Sequence, residues 1–503
     1  MKQIKCATYE GLDARVVDVE VTLTKGLPSF SIVGDAKSTI KIDSKDRVKS
    51  ALLSCDFKFP PKRITVNLAP ADDFRKSGSQ FDLSIAMMIV LNDKELDLQD
   101  WFIFGELGLD GSVKENNQLY PLLLSLANQS LVKKVIVPFE SLKKLSKIPN
   151  IKFYGVKKLQ EAIDILTSDT LVEPHNIEDA FMFPHYTLDE KYYVYNNYDE
   201  DFLDVKGQEV AKRAALISAS GMHNILLEGS PGCGKSMIAQ RLRYILPPLN
   251  QEEILDIAKL DSLEGREPEF KPLRNFCSPH HTSTSAAIFG GGSHQAKIGE
   301  VGLANGGILF FDELPYFSKN ILEALREPLQ DRRIKISRVN SKIEYPADFL
   351  FIGAMNPCPC GNLLDDAKEC RCNELEVQRY KNRLSDPFLD RIDLSITMQN
   401  ISPTDVPSLS SKQMHQCVID VHHIIKKRGQ KDFTAKLSDK DIEKFCILAD
   451  DAKETLDIAT TKFILSFRSI KKVQKVARTI ADLDSSEVIE KKHLLEALSY
   501  RRR

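Results

Sequence analysis

An apolar run, Asn224–Glu228 (NILLE), leads into Gly229-Ser-Pro-Gly-Cys-Gly-Lys235-Ser236 and then into an amphipathic stretch, Met237–Leu246 (MIAQRLRYIL). Strand, glycine-rich octapeptide and helix in that order narrow the choice of architecture to α/β folds that bind at a helix N-terminus. The glycines let the backbone curl until its N–H groups face one point, and the helix adds the positive end of its dipole there. Gly229, Ser230, Pro231, Gly232, Cys233 and Gly234 thus read as a cradle for the phosphates of ATP. Lys235 supplies a point charge to the outer phosphates and Ser236 a hydroxyl to Mg²⁺. The bland alternative, a glycine turn before an ordinary helix, leaves the flanking strand and the terminal Lys-Ser unexplained.

Two further apolar runs end in polar residues. Gly307–Phe311 (GILFF) is followed by Asp312 and Glu313. An aspartate at a strand end is placed to hold the Mg²⁺ shell, and the next glutamate to orient an attacking water. Phe349–Ala354 (FLFIGA) precedes Met355-Asn356-Pro357, where the Asn356 amide is placed to reach a γ-phosphate or that water; the competing reading is a turn residue before proline.

The 503 residues exceed what one core holds, and two to four domains are expected. Residues 1–168 alternate strand-like runs (ARVVDVEVTL, RITVNLAP, KKVIVP) with helical ones (DRVKSALLSC, FDLSIAMMIVL, LYPLLLSLANQ) and read as an α/β domain. A polar, tyrosine-rich stretch at 169–201 reads as a linker, 202–400 as a second α/β domain and 401–503 as helical. The net charge of −2 excludes a uniformly basic surface, although 401–503 carry 20 Lys+Arg against 15 Asp+Glu. The longest apolar run, Leu83–Leu91, is nine residues, about half a membrane span. With no secretory leader pattern at the N-terminus, a cytoplasmic, reducing location is expected, where cysteines are thiols or ligands.

The motif order and the stretches GLPSFSIVGDA, PPKRITVNLAPADDFRKSGSQFDLSIA, EVGLANGGILFFDELPYF, LREPLQDRRIKISR, NPCPCGN, LDRIDL and KVARTIADL resemble the AAA+ magnesium-chelatase-like family, specifically its ComM/YifB branch. The resemblance spans nearly the whole chain. It implies a P-loop AAA+ core with a helical lid, preceded by a Lon-protease-like (ribosomal S5 domain 2-like) α/β domain. It further implies ATP hydrolysis between subunits of a homo-hexamer. Arg391, in FLDRIDL, then corresponds to an arginine finger reaching the neighbour's γ-phosphate, and Arg468, in LSFRSIKKV, to the sensor arginine of the lid. A salt bridge of Arg391 with Asp390 or Asp393, and a solvated face for Arg468, are the structural alternatives. The implied activity is a DNA translocase or branch-migration helicase in natural transformation and recombination. A protein-remodelling ATPase and a magnesium-chelatase subunit are the other readings.

Residues 331–345 alternate apolar and polar positions around Val339-Asn-Ser341 and read as a β-hairpin, with Ile334 and Ile336 inward and Arg333 and Lys335 outward. The resemblance places such a hairpin, and the loop holding His280, His281 and Lys297, toward a ring pore. Arg333, Lys335, Arg338 and Lys297 are therefore candidate contacts to branched or single-stranded DNA. An edge strand kept soluble by its charges is the competing reading. In the lid, Phe467, Ile470, Val473, Val476, Ala477 and Ile480 share helical spacing, with Arg468, Lys471, Lys472, Lys475 and Arg478 on the other faces.

Cys358, Cys360, Cys370 and Cys372 fall within fifteen residues. Four thiolates suit tetrahedral Zn²⁺, although one residue between the members of each pair is closer than the usual two to four. Free thiols or a redox-sensitive loop remain open. In the N-terminal domain, the resemblance aligns APADDFRKSGSQFDL with the protease serine stretch, without its PSAG, and Tyr120 with the catalytic lysine. Ser77 and Ser79 then lack a base, and no peptidase activity is expected.

Overall fold

A computed structural model describes the chain from Lys2 to Arg501 except residues 11–12, 35, 37, 71–73, 75, 169–171, 176–180, 292–297, 338–341, 366, 401 and 403–404. Two compact units emerge: Met1–Met182 with Ala258–Phe270, and Phe183–Ile257 with Lys271–Arg503.

In the first unit a seven-stranded mixed sheet runs in the order Ser29–Val33, Arg63–Ala69, Asp13–Thr24, Gln3–Glu10, Trp101–Ile103, Lys134–Pro138, Lys152–Val156. Alternation along Asp13–Thr24 turns Val17, Val19 and Val21 into the core. The apolar run at 83–91 forms the helix Asp82–Val90, buried almost throughout because it lies inside this unit's core. No helix among the described residues is long and apolar enough to cross a membrane. The helix begins with a buried carboxylate: Arg47 Nε lies 2.6 Å from Asp82 Oδ2. Burial raises the Asp82 pKa, and the hydrogen bond from Arg47 opposes that rise. Arg47→Leu strands the carboxylate and is expected to cost about 3–5 kcal/mol in urea unfolding at pH 7. A loss below about 1 kcal/mol would mean that the carboxylate takes up a proton or finds water instead.

The second unit is built on a five-stranded sheet in the order Phe276–Cys277, Ile308–Phe311, Leu350–Met355, Ile225–Gly229, Leu394–Met398, with every pairing parallel. Ile308–Phe311 and Leu350–Met355 are buried at every position, which is why they read as unbroken apolar runs rather than alternations. The first of these strands in sequence, Ile225–Gly229, lies between the last two. In open parallel sheets the carboxyl ends beside such a reversal of strand order form a binding crevice.

Within 183–201 the strands His185–Thr187 and Lys191–Tyr193 form a hairpin that pairs onward with Leu249–Asn250. Tyrosines in and beyond the hairpin serve buried histidines on the helix Ser411–Lys427: Tyr186 Oη is 2.8 Å from His422 Nδ1 and Tyr198 Oη is 3.0 Å from His415 Nδ1. Burial holds His422 down at about 3 and His415 at about 4, so both rings are neutral at pH 7.

Helices Asp439–Phe445, Asp450–Phe463, Phe467–Leu483 and Lys491–Ser499 complete the C-terminal part. Along Phe467–Leu483 the residues Val473, Val476, Ala477 and Ile480 are buried. Lys472 and Lys475, expected on a solvated face, are half-buried and donate to the Ile392 and Ala435 carbonyls at 2.8 and 3.0 Å. Two further positions depart from the helical pattern. Phe467, in the first turn, is 71% exposed beneath the Lys471 ammonium, 3.9 Å from its ring centroid. Arg478, expected on a solvated face, is 1% exposed. It is held by Asp482 at 3.0 Å and by the Ser486 and Glu487 carbonyls at 2.5 and 2.8 Å. Arg428 meets the same carboxylate at 2.7 Å, so one buried carboxylate is shared by two guanidiniums and the carbonyls take up the remaining Arg478 donors.

Candidate nucleotide site

The Ile225–Gly229 strand delivers the chain to Ser230–Gly234, and the helix Lys235–Leu242 starts at once. Gly232 and Gly234 have φ of 83° and 95°, a left-handed turn that costs glycine little. At both positions a Cβ would meet nothing within 4 Å, so the curled face is open to an incoming group. Lys235, only 8% exposed, donates from Nζ to the Gly229 carbonyl at 2.6 Å, the Ser230 carbonyl at 3.0 Å and Asn356 Oδ1 at 3.2 Å. Its three protons are thus met by three oxygens that polyphosphate oxygens can replace.

Ser236 Oγ donates to Asp312 Oδ2 at 2.8 Å. Asp312 follows the Ile308–Phe311 strand and Asn356 follows Leu350–Met355, so all these side chains gather at the carboxyl edge of the sheet. Glu313 stands apart from them. Its φ is 51°, a left-handed value that strains any residue but glycine, and its carboxylate is half exposed. Oε2 lies 3.3 Å from His281 Nδ1. In the sequence His281 carries no sign of a tie to Glu313. The signal that singles it out is positional: it lies just beyond Phe276–Cys277, the strand next to the one that ends at Asp312.

Arg391 and Arg468 are not at this edge. Both line a cavity of about 300 Å³ with Lys471, Lys472 and Lys475. Asn224, Phe349 and Asp393 border it, and each immediately precedes a strand, so the cavity lies at the amino edge of the sheet. Five residues at about 3.3 Å each put the two edges about 16 Å apart. The Arg391 guanidinium donates to the Pro387 carbonyl and, at 2.7 Å, to Gln330 Oε1. No ion pair joins it to Asp390 or Asp393 among the described residues. Burial, then the neighbouring Arg468 and Arg326, lower its pKa. The lining is net basic, although Asp348 and Asp439 pair with Lys436 and Lys471 within it.

Of the candidate DNA contacts, Lys297 and Arg338 lie outside the described residues. The strands Arg333–Ser337 and Lys342–Pro346 do pair as a hairpin. Ile334 is buried and Lys335 exposed, while Arg333 is engaged by Glu344 at 2.7 Å. The four cysteine sulfurs converge within 4.8 Å of one another. In the first unit the Ser79 hydroxyl donates to Glu106 and accepts from Asn116 at 3.4 Å, and Tyr120 packs edge-on against Phe270, 5.2 Å between ring centroids.

Three family models match successive stretches: "Subunit ChlI of Mg-chelatase" over 19–141, "Magnesium chelatase, subunit ChlI" over 201–406, and "Magnesium chelatase, subunit ChlI C-terminal" over 408–501. Over 502 residues the chain is 38% identical to "Competence protein ComM" of Haemophilus influenzae, covering 98% of this chain and 95% of that protein. The chain belongs to the ComM/YifB magnesium-chelatase-like family. A second relative in the ComM/YifB family, YifB of Salmonella typhimurium, is 37% identical with the same coverage. A weaker similarity, 27% over 237 residues, links 40% of the chain to 41% of "Lon protease 2" of Bacillus subtilis. The match over 201–406 takes in the cradle, Asp312, Asn356, the four cysteines and Arg391, whereas Arg468 falls in the match that begins at 408.

Proposed function

We propose that the chain hydrolyses MgATP within a hexameric ring of its own copies and uses the energy to move along DNA, as a translocase or branch-migration helicase. The observation that carries the ATPase reading is the meeting of Ser236 Oγ with Asp312 Oδ2, 2.8 Å apart, beside Lys235 and Asn356. A hydroxyl and a carboxylate so placed are the donor set for Mg²⁺, which would neutralise charge on the β- and γ-phosphates. Lys235 would exchange its loop oxygens for phosphate oxygens. Asn356 would orient the γ-phosphate, and Glu313, released from His281, would accept hydrogen bonds from the attacking water. The separation of Arg391 and Arg468 from the cradle supports a ring, since an arginine at the amino edge of one sheet meets ATP only on another chain. The first unit, in this reading, is a Lon-protease-like domain without peptidase activity.

DNA is inferred from two sources: the Haemophilus relative is named a competence protein, and the hairpin presents exposed Lys335. The Arg333–Glu344 pair favours instead a peptide as the substrate in the pore, because it neutralises part of the basic row. ATP turnover with and without a four-way DNA junction, at low and raised salt, separates the two. Several-fold stimulation that fades with salt is expected, because backbone contacts release counterions. Turnover indifferent to DNA at both salts would remove the DNA reading and leave protein remodelling, or porphyrin metallation with partner subunits, to be assayed.

A further inference from the structure

Between Asn356 and the helix Glu374–Lys381 the chain makes no strand or helix among its described residues, and Leu363 and Leu364 on it are 43% and 40% exposed. Apolar burial therefore does little to fix this segment. What it does bury is sulfur: Cys358 is 0% exposed, with its Sγ 3.4 Å from Cys360 Sγ and 3.7 Å from Cys370 Sγ, and the latter two are 3.6 Å apart. A tetrahedral zinc with bonds of about 2.3 Å requires sulfur–sulfur edges of about 3.8 Å. These edges come within a few tenths of an ångström of that, and all are far longer than a disulfide. The single-residue spacing of each pair does not prevent convergence, because Gly361, at φ 83°, reverses the chain directly after Cys360.

The same segment is fastened to the cradle at three points. Asn356, two residues before the first sulfur, meets Lys235 Nζ at 3.2 Å. Gly361 faces Pro231 so closely that a Cβ would stand 2.7 Å from the proline ring. Lys381, at the end of the helix that follows the last sulfur, meets Glu228 of the cradle strand at 2.8 Å.

We propose that Cys358, Cys360, Cys370 and Cys372 bind one zinc ion as thiolates, and that this ion, by fixing the loop between Asn356 and Lys381, sets the affinity of the neighbouring cradle for nucleotide. The second half rests on the ATP reading above. Thiolate donors select zinc over Mg²⁺ or Ca²⁺, and metal–thiolate bonds supply the ordering that the loop's own packing does not.

The test uses the full-length chain purified from zinc-supplied cells. Elemental analysis is expected to find about one zinc per chain, falling to near zero in Cys370→Ser/Cys372→Ser. A fluorescent ATP analogue is expected to bind that variant about tenfold more weakly, the loss of a hydrogen bond to a charged group. If the variant fails to fold, stripping the wild-type protein with a chelator and restoring zinc reads the same effect, reversibly. Less than a tenth of an equivalent of zinc in the wild type, or iron in its place, overturns the metal assignment. Equal nucleotide affinity with and without zinc overturns the coupling. Zinc at one equivalent in a wild type that binds no nucleotide supports the metal assignment and sinks the ATP reading instead.

Discussion

Arg391→Ala is expected to lower ATP turnover by about a thousandfold, the scale of a lost arginine finger, while the altered chain still binds ATP with nearly its normal affinity. The reason is positional. Arg391 lies at the amino edge of the sheet with Arg468, and the cradle lies at the carboxyl edge of the same sheet. A side chain spans only part of that distance, so the guanidinium has no path to the Lys235 of its own chain. Mixing makes the argument sharper. Arg391→Ala chains retain a cradle, and Lys235→Ala chains retain the arginines. Each should be inactive alone, but randomly assembled rings made from equal amounts should recover about a quarter of wild-type turnover, because neighbours then complete each other's sites. Mixed assemblies that stay as inactive as the two parents would place Arg391 outside the reaction of any neighbour.

Lys235→Ala should weaken ATP binding by about ten- to a hundredfold, the worth of one buried charge-assisted hydrogen-bond donor, and should stop turnover. Lys235 is largely buried and its partners are the carbonyls of Gly229 and Ser230 and the Asn356 amide, so the methyl group that replaces it leaves three oxygens facing an incoming anion with no cation between them. Affinity should therefore fall further than simple removal of an exposed charge would produce. Titration of the purified variant with a nucleotide analogue is the measurement. Unchanged affinity would mean that the phosphates bind elsewhere.

The parts of this site legible in the sequence are those in which chemistry follows directly on an apolar strand. Lys235, Asp312 and Asn356 each sit just past such a run, and parallel strands bring their carboxyl ends together without further instruction. Secondary structure in residues 1–168 was legible for a similar reason, alternation and helical spacing being local. Contacts made across the chain were not. Arg478 follows the same spacing as Lys471, Lys472 and Lys475, and nothing in that spacing tells that Asp482 and two carbonyls enclose it. His281 and Glu313 are thirty-two positions apart on different loops. The tyrosines of 183–201 looked like linker, because the histidines that they serve come more than two hundred residues later. The wedge of Gly361 against Pro231 depends on two loops from different strands, and a lone glycine carries no mark of its neighbour.

The placing of cradle and arginines on opposite edges has a bearing on how the protein is kept quiet. On the proposed reading a solitary chain carries half of one reaction centre and half of another, and owns neither. Dilution then acts as an off-switch: newly made chains can bind ATP without wasting it, and consumption starts only where enough copies have collected to close around a substrate.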